Sequence, residues 1–163
     1  MDNITIERIK TIHPKLRTAL HNDYIYANNN LLPQGVRLRF AYTYRTNEEQ
    51  DKLFNQIPKI TNAKGGQSIH NYGLAFDIVI LYDSDANGTF ETASYSKDKH
   101  WITVTNYFKS KGWFCGGDWK SFSDAPHFEQ TFGHTWKTLK AVVEKGQTII
   151  ENINGFNYVY PRI

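Results

Sequence analysis

The residues best suited to chemistry lie in two short stretches. In Ser68-Ile69-His70-Asn71-Tyr72-Gly73-Leu74-Ala75-Phe76-Asp77, a loop histidine precedes an acid set in an apolar run, with small Gly73 and Ala75 between them. In Asp124-Ala125-Pro126-His127-Phe128-Glu129, Pro126 biases Ala125 away from helix, so Asp124 and His127 should lie along extended chain and reach one cleft. Cys115 is the only cysteine, which excludes an internal disulfide and a thiolate-rich metal centre. Any metal must therefore use imidazole and carboxylate. Taken alone, His70 reads as a turn residue. Asp77, flanked by Ala75, Phe76, Ile78 and Val79, is a costly charge for a buried strand unless a cation or a buried arginine stands beside it.

The elements that must position these groups can be read from periodicity. Ile6, Ile9, Ile12, Leu16, Leu20 and Tyr24 recur at helical spacing with Pro14 dividing them, which predicts two helices before a turn at Asn28-Asn29-Asn30. Val36 to Tyr44 alternates apolar and polar residues as a half-buried strand does, delivering Arg45 at its end. Thr46 followed by Glu49 is a capping-box pattern and predicts a helix from Thr46 to about Gln56, stopped before Pro58. Leu74 to Tyr82 reads as a buried strand, Phe90 as the start of a short return, and Trp101 to Lys111 as a helix ending at Gly112. Pro126 to Glu129 is expected to be a strand and Thr135 to Glu144 a helix. The tail is strand-like at 148–153 and 156–159.

The chain of 163 residues is long enough for one core, since a domain of this size buries roughly 70% of its unfolded surface. A single unit over 1–163 is expected, with the chemistry-bearing part at about 36–146 and the tail 147–163 packed upon it. The class expected is α+β: a small antiparallel sheet carrying the histidines and the acid on one face, with helices packed on the other. A net charge of +3 from scattered Lys and Arg gives no block for nucleic acid, though it suits an anionic polymer. Met1 to Lys10 is amphipathic and charged, without an apolar core of signal-peptide length, and no segment is long enough to span a membrane.

The pattern Ser-x-His-x-x-Gly-x-Ala-x-Asp at Ser68 to Asp77 resembles the first metal motif of the D-alanyl-D-alanine carboxypeptidase family of zinc peptidases. Three further segments resemble that family in the expected order: Tyr44-Arg45-Thr46 with Glu49-Gln50, Gly116-Gly117-Asp118-Trp119, and Asp124 to His127. The Gly-Gly-Asp-Trp segment is similar to that of the family's L-alanyl-D-glutamate-cleaving phage endolysins, although Cys115 stands where another aromatic or small residue is expected. The resemblance implies Zn2+ held by His70, Asp77 and His127. It also implies Asp124 as catalytic base, and Arg45 facing the scissile carbonyl. Two neutral imidazoles and one carboxylate are a hydrolytic zinc donor set, leaving the ion partly positive with a position open for water. Ser68 and Trp119 are expected to touch substrate. The activity implied is hydrolysis of peptidoglycan stem peptides, with L-alanyl-D-glutamate as the bond. D-alanyl-D-alanine carboxypeptidase or dipeptidase action is the nearest alternative, and a wall-binding module without catalysis is the alternative of another class. The expected working unit is a monomer, made in the cytoplasm and released to the wall, as a phage or prophage lysis enzyme would be.

Asp83, Asp85 and Asn87 followed by Gly88 match the first half of a calcium loop, but Ser94 stands where the bidentate glutamate belongs. Asn87-Gly88 is equally a hairpin turn, and a solvated turn is the simpler expectation. Glu129 and Asp118 are candidates to support the site. His13, His21, His100 and His134 are read as packing or surface residues.

Overall fold

A computed structural model describes residues 2–163; Met1, the first residue of the amphipathic N-terminal stretch, lies outside the described residues. Among the described residues there are five α-helices and seven strands: α1 (Asn3–Lys10), α2 (Pro14–Tyr26), β1 (Val36–Tyr42), α3 (Asn47–Phe54), β2 (Ala75–Tyr82), β3 (Thr92–Ser94), α4 (Lys99–Ser110), β4 (Phe114–Cys115), β5 (His127–Glu129), α5 (Trp136–Glu144), β6 (Thr148–Ile153) and β7 (Phe156–Pro161). Pro14 opens α2 where its missing N–H costs nothing, and His13 caps the same turn by accepting from the Lys15 N–H. The capping box before α3 forms as the sequence predicts, with Thr46 Oγ1 accepting from the Glu49 N–H at 3.0 Å and Glu49 accepting from the Thr46 N–H at 2.8 Å.

The asparagine triplet differs from the expected turn. Ala27–Leu31 continues α2 as a π-helical turn. The Asn28 and Asn30 side-chain amides donate back to the Tyr24 and Tyr26 carbonyls, and Asn28 Oδ1 accepts from the Leu38 N–H. Side-chain amides thus satisfy groups that a tight turn would have left to solvent.

Every pairing in the main sheet is antiparallel, in the order β1-β2-β5-β4, with β5 pairing the first half of one edge of β2 and β3 the second half. Successive side chains on a strand point to opposite faces. Phe40, Phe76, Ile78, Ile80 and Phe128 therefore share one face, where they are buried with Ile9, Leu16, Leu20 and Tyr24 of α1 and α2 and with Trp101, Val104 and Phe108 of α4. Phe76 is the centre of this layer, its ring 4.4 Å from Phe40, 4.7 Å from Trp113, 5.1 Å from Phe108 and 5.3 Å from Phe128. The same alternation turns Asp77 and His127 outward. They are cross-strand partners, so the apolar packing that fixes Phe76 and Phe128 also sets the acid opposite the histidine.

The tail forms a hairpin, β6 with β7. Tyr160 is wholly buried, its hydroxyl donating to the Thr11 carbonyl and its ring set edge-on to His13. Gly73 is required here: it sits at φ +68°, and a Cβ would come within 2.8 Å of the Tyr160 ring and 3.0 Å of the His13 nitrogen. Among the described residues no helix is long and apolar enough to cross a membrane.

Candidate metal centre

Above the outward face of the sheet lies a cleft of about 690 Å³, and Arg45, Ser68, His70, Asp77, Trp119, Asp124 and His127 all line it. Three of these converge. His70 Nε2 and His127 Nδ1 each lie 3.2 Å from Asp77 Oδ1, and the two nitrogens are 3.1 Å apart.

The outer nitrogens of the two rings determine what the inner ones can offer. His70 Nδ1 is 2.6 Å from the Thr43 carbonyl oxygen, which can only accept, so Nδ1 carries the proton and Nε2 turns a lone pair inward. His127 Nε2 is 2.9 Å from a Glu129 carboxylate oxygen, so it donates there and Nδ1 turns its lone pair inward. With both rings neutral, three acceptors face one another and no hydrogen lies between them. Such a cage is repulsive unless a cation enters it. Tetrahedral zinc bonds of 2.0–2.1 Å set neighbouring donor atoms roughly 3.3 Å apart, close to the spacing found, so these residues fit a zinc ion.

In the metal-free protein a proton relieves the same crowding. Burial works against charge on His127, but the hydrogen bonds to Asp77 and Glu129 outweigh it and push the imidazole up to about 9. Burial likewise opposes charge on Asp77, yet the His70 and His127 rings hold its carboxyl well below the usual carboxylate range.

Asp124 stands differently. It is half-buried in the same cleft, and burial, reinforced by the nearby Asp77 charge, raises its carboxyl above the ordinary value. Its placement depends on Gly116, whose carbonyl accepts from the Asp124 N–H at 2.9 Å. A Cβ at Gly116 would fall 2.6 Å from the Asp124 oxygen and 3.1 Å from the His127 Cβ, so only glycine allows this approach.

Arg45 leaves the end of β1 and meets the site at its edge, with Nη2 3.9 Å from Asp77 Oδ2 and Nη1 donating to Gln50 Oε1 at 2.9 Å. Glu49, four residues on, is given to the helix cap, accepting from the Thr46 N–H. The Trp119 ring lies 5.3 Å from that of His127 and remains partly exposed. Ser68 lies on the cleft wall beside the short helix that carries His70.

Several contributors escaped the sequence reading. Asn71, at an unspecified position of the motif, is buried and stitches two walls together. Its amide donates to the Arg45 and Thr46 carbonyls while its oxygen accepts from the Gly66 and Ser68 N–H groups. Gln50 holds Arg45. Phe122, an exposed aromatic at φ +80° in a polar loop, and His134 both line the cleft. Of the two suggested supports, Glu129 faces His127, whereas Asp118 pairs with Lys109 at 2.6 Å away from the cleft. His13 is a buried packing residue, its Nε2 donating to the Pro161 carbonyl at 2.9 Å.

The acidic loop groups Asp83 and Asp85 with Glu91, while Asn87 Oδ1 accepts from Thr89. Asp83 accepts from the Asn87 and Gly88 N–H groups, Asp85 from Asn87, and Glu91 from the Ser84 N–H. The loop's own donors account for these acids as caps of a solvated turn.

An antiparallel sheet presenting two histidines and an aspartate within bonding reach of one ion is the frame of a metal centre. Residues 61–130 match the family described as D-alanyl-D-alanine carboxypeptidase, a stretch of less than half the chain. A curated relative, the peptidoglycan L-alanyl-D-glutamate endopeptidase CwlK of Bacillus subtilis (strain 168), is 34% identical over 108 residues, which are 59% of this chain and 62% of the relative. The match thus spans less than two thirds of that protein's length. The crystal structure of Serratia marcescens L-Ala D-Glu endopeptidase ChiX shares the fold, with a TM-score of 0.53 at 22% identity, covering 79% of this chain and 87% of that one.

Proposed function

We propose that the chain is a zinc peptidase of bacterial peptidoglycan, cutting the L-alanyl-D-glutamate bond of the stem peptides. The observation that carries the reading is the cage of three inward-facing acceptors, His70 Nε2, Asp77 Oδ1 and His127 Nδ1, opening on the cleft that also holds Asp124 and Arg45. A bound zinc ion would supply Lewis acidity toward the peptide carbonyl and acidify a water. Asp124 is the general base. Its raised proton affinity suits a group that takes a proton from the attacking water and returns it to the leaving amine. Arg45, held by Gln50 at the cleft edge, donates to the oxyanion as it forms. Trp119 and Ser68 line the path of the substrate. Calcium at the Asp83 loop forms no part of the proposal.

The choice of bond is supported by the name of the Bacillus relative, and the family's description favours D-alanyl-D-alanine carboxypeptidase action as the second reading. Digestion of purified muropeptides, followed by mass spectrometry with and without chelator, separates them. New products beginning at D-glutamate, lost on chelation, are expected. Removal of terminal D-alanine alone would select the carboxypeptidase, and wall binding with no peptide released would select a non-catalytic module.

A further inference from the structure

We infer that Glu129 is a positioning residue for the metal: it fixes the His127 tautomer so that Nδ1, not Nε2, is the atom offered to the ion. The inference rests on the zinc reading above and adds a residue that the three donors do not include. Three observations carry it. Glu129 follows His127 by two residues on β5, so strand alternation returns both side chains to the same face. The carboxylate oxygen is 2.9 Å from Nε2, within hydrogen-bond range, and an ionised carboxylate can only accept. Glu129 is itself partly buried on the cleft wall, next to a donor cluster whose net charge a zinc ion would leave positive.

The two rings are oriented by unlike partners. Thr43 orients His70 with a backbone carbonyl, which is fixed whatever the side chain there; Glu129 orients His127 with a side chain that mutation can remove. A carboxylate behind a ligating imidazole selects its tautomer, locks its rotation and raises its basicity toward the metal. Without it, neutral His127 is free to place its proton on Nδ1, the wrong side for coordination. Asp124 is distinguished from Glu129 by this placement, because Glu129 is committed to the outer nitrogen of His127.

The test compares the full chain with Glu129→Ala and Glu129→Gln. Zinc affinity is read by competition with a chromophoric chelator, and the melting temperature is taken in excess chelator. Glu129→Ala should bind zinc about 10- to 100-fold more weakly, with the metal-free melting temperature lowered only modestly by loss of the His127–Glu129 hydrogen bond and unfolding in chelator still cooperative. Glu129→Gln, whose amide oxygen still accepts from Nε2, should fall between the alanine variant and the parent and guards against misfolding of the alanine form. Long-range proton–nitrogen spectra of the zinc-loaded parent should show His127 protonated at Nε2. Unchanged zinc affinity in both variants overturns the inference while leaving the zinc reading intact. Loss of turnover at unchanged affinity also overturns it, by making Glu129 part of the proton transfer. A parent chain that binds no zinc overturns the zinc reading together with this one.

Discussion

Replacing Asp124 with asparagine should make the protein slower and the metal-free fold slightly firmer. The carboxyl is raised by burial and then by Asp77, which means that the folded chain holds the ionised form at a disadvantage. For a carboxyl raised in the fold, stability is unaffected below the ordinary value of 3.8, falls as pH climbs from there through the folded-state value, and stays reduced beyond it. Above the folded-state value the whole cost is in force. Asp124 is only half-buried, so solvent screening limits the gain from removing its charge to on the order of 0.5 kcal/mol. The loss of turnover is far larger. A positioned proton-transfer group contributes about 100- to 10,000-fold, or roughly 3 to 5 kcal/mol of barrier, and asparagine keeps the shape while abolishing the transfer. Muropeptide turnover, zinc content and urea denaturation in chelator measure the three quantities on one sample. Turnover within tenfold of the parent would refute the assignment of the base, and loss of zinc from the variant would move Asp124 into the donor set.

Arg45→Ala should reduce kcat by about 100- to 1,000-fold with zinc retained, whereas Gln50→Ala, which only frees the guanidinium from one partner, should reduce it far less; steady-state kinetics with metal analysis checks both. Gly73→Ala should destabilise the chain by about 2 to 5 kcal/mol, the sum of a left-handed backbone penalty and overpacking against Tyr160, read as a lowered denaturation midpoint. Zinc at a thousandfold excess over its dissociation constant should stabilise the fold by about 4 kcal/mol, so chelation should lower the melting temperature markedly. In the chelated protein His127 is raised to about 9, so its contribution is complete below the ordinary 6.5 and is lost as pH rises from there through 9. The depressed Asp77 contributes above 3.8 and loses its contribution on acidification below that value. Denaturation midpoints of the metal-free chain from pH 3 to 10 should therefore fall at both ends.

What the sequence made legible was set by local rules. The α+β class, the strand carrying Asp77 and the capping box at Thr46 follow from spacing alone, because alternation and end-capping act over a few residues. The convergence of His70 with Asp77 needed more: seven residues apart, they meet only because Gly73 reverses the chain at positive φ and packs against Tyr160 from the far terminus. Asn71 was not legible as a site support, since its partners are backbone groups whose positions depend on tertiary contacts, and Gln50, though part of the Arg45 motif, takes its role only where its side chain meets the guanidinium. The asparagine triplet misled for the same reason. Asn-rich stretches favour turns locally, and here their amides met helical carbonyls and a strand N–H instead.

The division of labour in the site follows from where each group is anchored. Asp77 and His127 stand on paired strands whose inward neighbours, Phe76 and Phe128, are stacked in the core, so their separation is as rigid as the core itself. His70 is tied to that frame by the Thr43 carbonyl at the end of β1. Asp124, Trp119 and Phe122 belong to the irregular segment between β4 and β5, where the Gly116 carbonyl accepts from the Trp119 and Asp124 N–H groups. On the proposed roles, a donor set fixed by the core stands apart from the segment that carries the base and the aromatic rim. Substitutions in the segment 119–123 should for that reason alter KM and bond preference before they alter zinc affinity, the reverse of the order expected at Glu129.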